Sequence, residues 1–179
     1  NQYGKKSRWA AGDVANLCIG QGEITVTPLQ MAVMTAAIAN GGKLIQPRLV
    51  LNVGSLNPDN ESSVIEISKK VVKNLNLKNE TVSLLHKAML ADVDDPDGSG
   101  RGARVRGMSI GGKTGTAEKK VPTGKFHPKT GVRLFRMDHI TWFVSFAPVE
   151  SPRYAMVVMV ESGSSGGKVC APIAGRVYR

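Results

Sequence analysis

The segment Gly111–Ala117 reads Gly-Gly-Lys-Thr-Gly-Thr-Ala and follows the alternating run Val105–Ile110. Side chains on a β-strand point to opposite faces in turn, so Lys113 and Gly115 would share one face while Thr114 points away from it. A glycine within a strand also lets a ligand or another backbone lie close to the main chain. The segment therefore predicts a strand that carries a cation beside bare backbone, with Thr114 mainly structural.

The length and composition of the chain indicate one domain with a core of ordinary size. The chain has 179 residues, of which 41% are hydrophobic, and this is enough for such a core. The longest apolar runs, within 140–149 and 155–160, are far shorter than the roughly 18 residues of a membrane span. Residues 1–9 are polar and basic and show no signal peptide.

The two cysteines, Cys18 and Cys170, lie far apart and lack the spacing of metal ligands. We expect two buried free thiols, although a disulfide between them stays open.

The formal net charge of +10 at pH 7 favours anionic partners. Much of the positive charge lies within 101–106 and 119–136. Aromatic residues do not alternate with these basic residues as they do on surfaces that bind single strands, and neither a zinc-finger nor an RNP-like motif is present. We therefore expect a solvated basic loop and no nucleic-acid partner.

Two segments carry strong helix signals. Thr27, Pro28 and Gln30 supply an N-cap, a proline at the first helical position and a capping box. The Asn-Gly-Gly sequence at 40–42 should end this helix. A second amphipathic helix is expected from about Asn79 to Val93. The apolar face of the first helix, chosen by helical spacing, comprises Leu29, Ala32, Val33, Ala36 and Ala37.

The apolar runs Ile140–Ala147 and Tyr154–Glu161 are separated by a short turn segment, which predicts antiparallel neighbours. The complete order of elements predicts an α+β fold in which helices pack on an antiparallel sheet. The other segments are expected to be an irregular packed segment (1–19), an edge strand interrupted by Pro47 (43–52), a loop (54–63), a segment with both strand and helical-turn signals (64–77), a solvated loop rather than a calcium site (92–106), a long basic loop (118–138), a Gly/Ser turn (162–168) and a terminal helix (171–179).

Residues 107–114 also match the phosphate-loop pattern G-x-x-x-x-G-K-[ST]. That site requires an apolar strand before Gly107 and a helix after Lys113, so that backbone N–H groups cradle the phosphates. Residues 101–106 are not an apolar strand, and the motif leads into the expected basic loop. A P-loop NTPase is therefore a remote alternative, which magnesium-dependent nucleotide binding would revive.

Four ordered landmarks resemble the class B penicillin-binding proteins. Gly-Gln-Gly at 20–22 with the helix at 27–42 resembles the family's segment before its lysine-Thr-Gly triplet, and 112–118 resembles the strand that carries the triplet. Residues 142–148 are similar to the family's next strand, and 166–172 to the turn and start of its last helix. The Gly-Gln-Gly form is more like penicillin-binding protein 2, the elongation type, than the division type.

The resemblance implies a partial penicillin-binding transpeptidase fold, related to that of serine β-lactamases. The family's S-x-x-K motif, which carries the nucleophile, and its S-x-N motif are both absent before the Gly-Gln-Gly segment. Residues 1–179 are therefore expected to be the C-terminal portion of one transpeptidase domain. Two similar spellings are expected to be coincidences, because Ser165–Lys168 lies in a glycine turn without the required helix and Ser55–Asn57 lies in a loop.

The resemblance also implies roles for individual residues. Lys113 would place positive charge beside the S-x-N hydroxyl, assist proton transfer and attract the substrate's terminal carboxylate. Gly115 would let the acyl donor lie along the strand edge as an added strand. Thr116 would bind the carboxylate through its hydroxyl, and its backbone N–H would be one of two oxyanion donors. The expected catalytic residues are Lys113 and Thr116, and the expected substrate-binding residues are Lys113, Thr114, Gly115 and Thr116.

For the complete protein, the resemblance implies D,D-transpeptidation of peptidoglycan by serine acyl transfer. The substrate would be a stem peptide ending in D-Ala-D-Ala, β-lactams would acylate the same serine, and no metal or organic cofactor is implied. The protein would be anchored in the bacterial inner membrane with this domain outside the cytoplasm, in contact with its own N-terminal part and a wall-elongation complex. The isolated chain is expected to be inactive because the nucleophile is missing.

Two alternatives remain within the same family. A non-catalytic member could keep the fold as a protein-interaction scaffold. A hydrolytic β-lactamase is less favoured, because the Gly-Gln-Gly helix segment and the Trp-Phe strand look like those of class B transpeptidases.

Overall fold

The computed structural model describes residues 10–22, 24–54 and 65–179. Within these ranges, no helix is both long and apolar enough to cross a membrane. The expected packing of Trp9 and, apart from Gly54, the expected loop at 54–63, which includes Ser55–Asn57, fall outside them. In chain order the elements are α1 (Ala11–Cys18), α2 (Pro28–Ala39), β1 (Lys43–Ile45), β2 (Asn52–Val53), β3 (Ile65–Glu66), β4 (Val71–Asn74), α3 (Asn79–Asp94), a 3-10 turn (Arg101–Ala103), β5 (Gly111–Phe126), β6 (Arg133–Ala147), β7 (Tyr154–Glu161) and α4 (Gly166–Val177).

A three-stranded antiparallel sheet, in the order β5–β6–β7, organises the fold. β5 pairs with β6 without interruption from Gly111↔Phe146 to Pro122↔Phe135, and the whole of β7 pairs with β6. Helix α2 packs on one face of this sheet and α4 on the other, while α3 lies against the start of β5. The α+β class and the antiparallel pairing of the two apolar runs are therefore confirmed.

Helices cover β6 from both sides, so its alternate side chains enter two separate clusters. Phe143 packs with Cys170, Ala171 and Ala174 of α4, and Phe146 packs with Ala39 of α2 and Met89 of α3. Both rings are fully buried. Because each fully buried large side chain contributes roughly 1.5–3 kcal/mol, these two rings are principal anchors of the sheet.

The buried polar groups of β6 have hydrogen-bond partners. The Thr141 hydroxyl donates to the Val160 carbonyl at 3.0 Å, and the Ser145 hydroxyl lies 3.1 Å from the Tyr178 hydroxyl at the end of α4. Burial raises the pKa of Tyr178, since the phenolate would lose its hydration. The first contact joins the middle strand to β7, and the second joins it to the end of α4.

Helix α2 begins and ends where the sequence predicts. The Thr27 hydroxyl accepts from the Gln30 N–H at 3.2 Å, and the Gln30 side chain accepts from the Thr27 N–H at 2.8 Å. The glycines at 41–42 have positive φ and end the helix. The predicted apolar face is only partly right, because Leu29 is 60% exposed whereas Ala37 is buried as expected. The buried residues of α2 are Thr35, Ala37 and Ala39.

Helix α3 matches its predicted limits to within one residue. The prediction of a solvated loop after it is only partly right, because residues 94–97 are exposed whereas Gly100 and Ala103 are buried. The turn Arg101–Ala103 packs against α4, where an added Cβ on Gly102 would lie 2.8 Å from Pro172. Small residues in this turn therefore allow close contact with α4. The Gly/Asp/Pro composition alone does not distinguish such a packed turn from a solvent-exposed loop.

The N-terminal segment is wrong as an irregular packed segment, because residues 11–18 form helix α1. The Asp13 carboxylate accepts from the Ala10 N–H at 3.0 Å and stabilises the start of this helix. Val14, Leu17 and Ile19 are exposed rather than packed. An eight-residue helix without a buried face carries too weak a periodicity to be recognised in sequence.

The cysteines are both free, and they differ in burial. Cys170 is buried as expected, and its thiol donates to the Thr141 carbonyl at 3.3 Å. Cys18 is exposed at the end of α1, so the expectation of a buried thiol is wrong there.

Residues between α2 and α3 form two small antiparallel pairs, β1 with β4 and β2 with β3. The expected edge strand at 43–52 is therefore split into two short strands on either side of Pro47. The ambiguous segment at 64–77 forms strands wherever it is regular within the described residues.

The predicted basic loop at 118–138 is wrong, because β5 and β6 continue through it as a two-stranded ribbon. We call residues 117–126 with 133–140 the basic ribbon, closed by the turn at 127–132. Pro122 marks the only shift in register, between Pro122 and Phe126. A strand with a neighbour on one side needs only every second N–H for pairing, so a proline is tolerated there.

Helix α4 begins at Gly166 rather than at Ala171, so the predicted turn through Lys168 is wrong. The Ser165 hydroxyl accepts from the Lys168 N–H at 3.3 Å and acts as the N-cap. Pro172 marks the seventh residue of the helix rather than its start. An added Cβ on Gly166 would strike the backbone carbonyls of Trp142 and Gly115, so α4 begins in direct contact with the strands β5 and β6.

We expect Gly166→Ala to destabilise the fold by about 1–3 kcal/mol, because the new methyl meets backbone atoms that cannot move without breaking the β5–β6 pair. Gly12→Ala in α1 is the control, because nothing lies within 4 Å of its added Cβ; it should be neutral or stabilising by up to about 1 kcal/mol. The free energy of unfolding from denaturant titration measures both. Equal stability of the two variants would contradict the close packing of α4 on β5.

Candidate active site

β5 is an edge strand, so every second residue has backbone groups that do not pair with β6. The Thr114 carbonyl accepts from the Lys113 ammonium at 2.9 Å, and the Thr116 carbonyl accepts from the Gln21 side-chain amide at 3.2 Å. Both carbonyls therefore face outward. Because the N–H and C=O of one residue in an antiparallel strand point to the same side, the N–H groups of Thr114 and Thr116 face outward as well.

The Lys113 and Gly115 side of β5 is the side on which α2 packs. Lys113 pairs in register with Val144, and Gly115 pairs with Trp142. The Lys113 side chain is exposed and bends over the strand edge to Thr114. The prediction that Lys113 and Gly115 share one face is confirmed, and the cation lies at the open edge of the strand.

The Gly-Gln-Gly segment crosses this edge. Gln21 contacts Thr116 although 95 positions separate them. Two of the sequence landmarks are therefore neighbours in space, and the side-chain amide of Gln21 occupies one acceptor that an incoming strand would use.

The opposite side of β5 lines an open cavity of about 450 Å³. Thr114, Gly115 and Thr116 form one wall, and the first residues of α4 form another. Arg101 and Lys168 add two cations, and the amide groups at the start of α4 carry partial positive charge. The cavity therefore favours an anionic group beside the two threonines.

A chain of hydrogen bonds determines how Thr114 can act. The Ser99 hydroxyl donates to the Asp92 carboxylate at 2.6 Å and lies 2.5 Å from the Thr114 hydroxyl. Ser99 has a single proton and a carboxylate can only accept, so Thr114 must be the donor to Ser99. The Thr114 hydroxyl is then left with only acceptor lone pairs toward the cavity.

Neither Asp92 nor Ser99 was expected at the site. Both lie in the segment that the sequence indicates to be a solvated loop, and a lone serine between glycines is a weak signal. The second carboxylate oxygen of Asp92 is buried without a hydrogen-bond partner among the described residues, so this side chain depends on the single bond from Ser99.

Two alternative sites can be judged from the same geometry. Lys113 and Thr114 lie inside β5, and no helix begins after them, so the phosphate-loop arrangement is absent there. Ser165 and Lys168 do lie at a helix start, which corrects the expectation of a turn without a helix. The Ser165 hydroxyl is nevertheless engaged as the N-cap of α4.

The whole chain, residues 1–179, matches the family described as the penicillin-binding protein transpeptidase domain. It is 34% identical over 164 residues to the peptidoglycan D,D-transpeptidase MrdA of Acinetobacter baumannii, covering 91% of this chain and 23% of that protein. It is 33% identical to the stage V sporulation protein D of Bacillus subtilis, covering 92% of this chain and 24% of that protein.

A solved structure has the same fold. Penicillin-binding protein A from M. tuberculosis, as an imipenem acyl-enzyme complex, superimposes with a TM-score of 0.68 and 27% identity, covering 91% of this chain and 32% of that one. This chain thus spans about a quarter of the length of its curated relatives and about a third of this structural one.

We expect Ser99→Ala to lower the free energy of unfolding by about 1–2 kcal/mol, because it removes the only hydrogen bond to the Asp92 side chain among the residues that the structure describes. Thr114→Val is the matched control, because it keeps the side-chain shape and leaves the bond from Ser99 to Asp92 in place. It should cost less than Ser99→Ala. A larger loss for Thr114→Val in denaturant titration would contradict the assigned direction of donation.

Proposed function

Because this chain belongs to the penicillin-binding protein transpeptidase domain family, we propose that its strand β5 is one wall of the active site of a peptidoglycan D,D-transpeptidase. One observation carries the proposal: the outward N–H and C=O groups of Thr114 and Thr116 lie at an open strand edge beside the Lys113 ammonium. Such an edge can hold an extended peptide and polarise its carbonyl. The curated relatives bearing the D,D-transpeptidase name support the reaction class.

Residues 1–179 are, in this proposal, a portion of one transpeptidase domain, and the serine nucleophile comes from another segment of it. The share of its relatives that this chain spans supports this division. The only S-x-x-K spelling in the sequence is Ser165–Lys168, whose serine caps α4.

The reaction begins when the serine oxygen attacks the penultimate D-Ala carbonyl of a stem peptide. The carbonyl oxygen becomes an oxyanion, the C–N bond breaks, and D-Ala leaves with a proton on its new amine. An amine of a neighbouring stem then attacks the ester, forms the new amide and releases the serine. The outward Thr116 N–H donates to the oxyanion, and removing one such donor costs about 3 kcal/mol of barrier in well-studied enzymes.

The remaining catalytic and binding roles belong mainly to side chains of β5. The Lys113 ammonium assists proton transfer to and from the serine and attracts the terminal carboxylate of the donor peptide. The Thr116 hydroxyl donates to that carboxylate. The Thr114 hydroxyl cannot do so while it donates to Ser99, and Thr114 therefore contributes through its outward backbone groups. Gly115 has no side chain, so the donor peptide can lie close to the strand. The donor peptide displaces the Gln21 amide from the Thr116 carbonyl.

β-Lactams would acylate the same serine, as the solved imipenem acyl-enzyme of a family member supports. In this proposal the domain lies outside the cytoplasm, at the outer side of the bacterial inner membrane, because peptidoglycan is assembled there. A membrane anchor and contacts with a wall-elongation complex belong to other segments of the protein in this proposal.

We expect a fluorescent penicillin to label the full-length protein covalently and to leave the isolated 179-residue chain unlabelled, because the nucleophile lies elsewhere. Gel fluorescence measures the labelling. Ser165→Ala in the full-length protein is the control, and it should leave the extent of labelling unchanged. Stoichiometric labelling of the isolated chain would refute the division of the site. A folded full-length protein that is never labelled would instead indicate a non-catalytic scaffold.

We expect Thr116→Val to slow penicillin acylation of the full-length protein about 10- to 100-fold, since a hydrogen bond to a charged group contributes about 1.5–3 kcal/mol. The variant keeps the backbone N–H and the side-chain shape. Thr116→Ser should retain a rate close to the original because it keeps the hydroxyl. Stopped-flow acylation kinetics compare the variants, and an unchanged rate for Thr116→Val would remove its hydroxyl from carboxylate recognition.

A further inference from the structure

The basic ribbon (117–126 with 133–140) extends beyond the cover of the rest of the sheet. Pairing between β6 and β7 ends at Ile140↔Glu161, so from Asp138 to the turn only β5 and β6 are present. Three large apolar side chains are more than half exposed on it, at Phe126, Phe135 and Met137. An exposed apolar group of this size beside charged residues marks an interaction surface.

The two faces of the ribbon differ in how their charges are satisfied. On the face of Lys119, the ammonium lies 3.1 Å from the Glu161 carboxylate, and Arg136 lies 3.2 Å from Asp138. A hydrogen bond from the Ser162 hydroxyl to Asp138, at 2.7 Å, holds the pKa of this carboxyl below its usual range and keeps it charged. The cations on this face are therefore paired.

The other face combines free cations with the exposed apolar side chains. Residues paired in register share a face, so Lys120 lies with Met137, and Phe126 lies with Arg133. Lys120 and Arg133 have no ion pair within the described residues. The complete face, which we call the Lys120 face, consists of Glu118, Lys120, Pro122, Phe126, Arg133, Phe135, Met137 and His139. It therefore carries one carboxylate, Glu118, beside the two free cations.

The Lys120 face continues the side of β5 that carries Thr116. Lys120 lies four positions after Thr116, which is about 13 Å along a strand. An extended peptide of five residues spans about 17 Å, so a ligand held at Thr116 reaches Lys120. Pro122 has no N–H for the open edge, and backbone pairing with a ligand therefore ends near this point.

We propose that the Lys120 face binds the carboxylate-bearing peptidoglycan strand whose stem peptide is held at Thr116. The inference rests on the proposed function and adds a second contact region for its polymeric substrate. Lys120 and Arg133 attract the carboxylates of the strand, and the apolar side chains cover its uncharged parts. A membrane surface fits less well, because the apolar side chains lie on the broad face while the turn at 127–132 is mainly polar.

The test compares two double variants of the full-length protein. Lys120→Gln with Arg133→Gln removes two free cations from the Lys120 face, whereas Lys119→Gln with Arg136→Gln removes the same charge from the opposite face. The first pair should weaken cosedimentation of uncross-linked peptidoglycan strands about tenfold at low salt, and the second less than twofold. Because charge attraction is screened, the difference should shrink as salt is raised.

Two further measurements separate the possible failures. Penicillin acylation should be unchanged in both pairs, since the small β-lactam does not reach the ribbon. If the unaltered full-length protein were not acylated by penicillin, the proposed function would be refuted rather than this inference. Equal strand binding by the two pairs would overturn the inference. So would loss of binding to phosphatidylglycerol vesicles by the Lys120/Arg133 pair with strand binding retained, because the partner would then be a membrane.

Discussion

The antiparallel pairing of β5 with β6 is the constraint on which the rest of the structure depends. Its unbroken register from Gly111↔Phe146 to Pro122↔Phe135 decides which backbone groups of β5 face the open edge. It also decides that Lys113 lies on one side of the sheet and Thr116 on the other. A shift of one residue would exchange these sides and turn the outward carbonyls toward β6.

Packing of β6 explains why two glycines precede Lys113. The buried rings of Phe143 and Phe146 reach across β5, and an added Cβ on Gly111 would lie 2.8 Å from Phe146. An added Cβ on Gly112 would strike the Phe143 ring in the same way. The glycines that resemble a phosphate loop in sequence thus serve the core, because they let the rings anchor the site strand from both faces.

The elements that the sequence predicts well are those with local signals. Helix α2 has its capping box at Thr27 and Gln30, and β7 has a continuous apolar run, so each could be recognised without knowledge of its neighbours. The basic ribbon was missed because proline, glycine and charge are signals for a loop. Strand pairing overrides those signals wherever the partner strand supplies every hydrogen bond that the backbone requires.

The sequence by itself determined the family resemblance, the strand at Lys113–Thr116 and the α+β class, because these depend on the order and type of neighbouring residues. Only the tertiary structure decided how the site is arranged. The contact of Gln21 with Thr116, the chain from Asp92 through Ser99 to Thr114, and the exposed Lys120 face all join residues distant in sequence. Hydrogen-bond direction and open edges depend on which groups meet in space, and spacing along a chain does not contain that information.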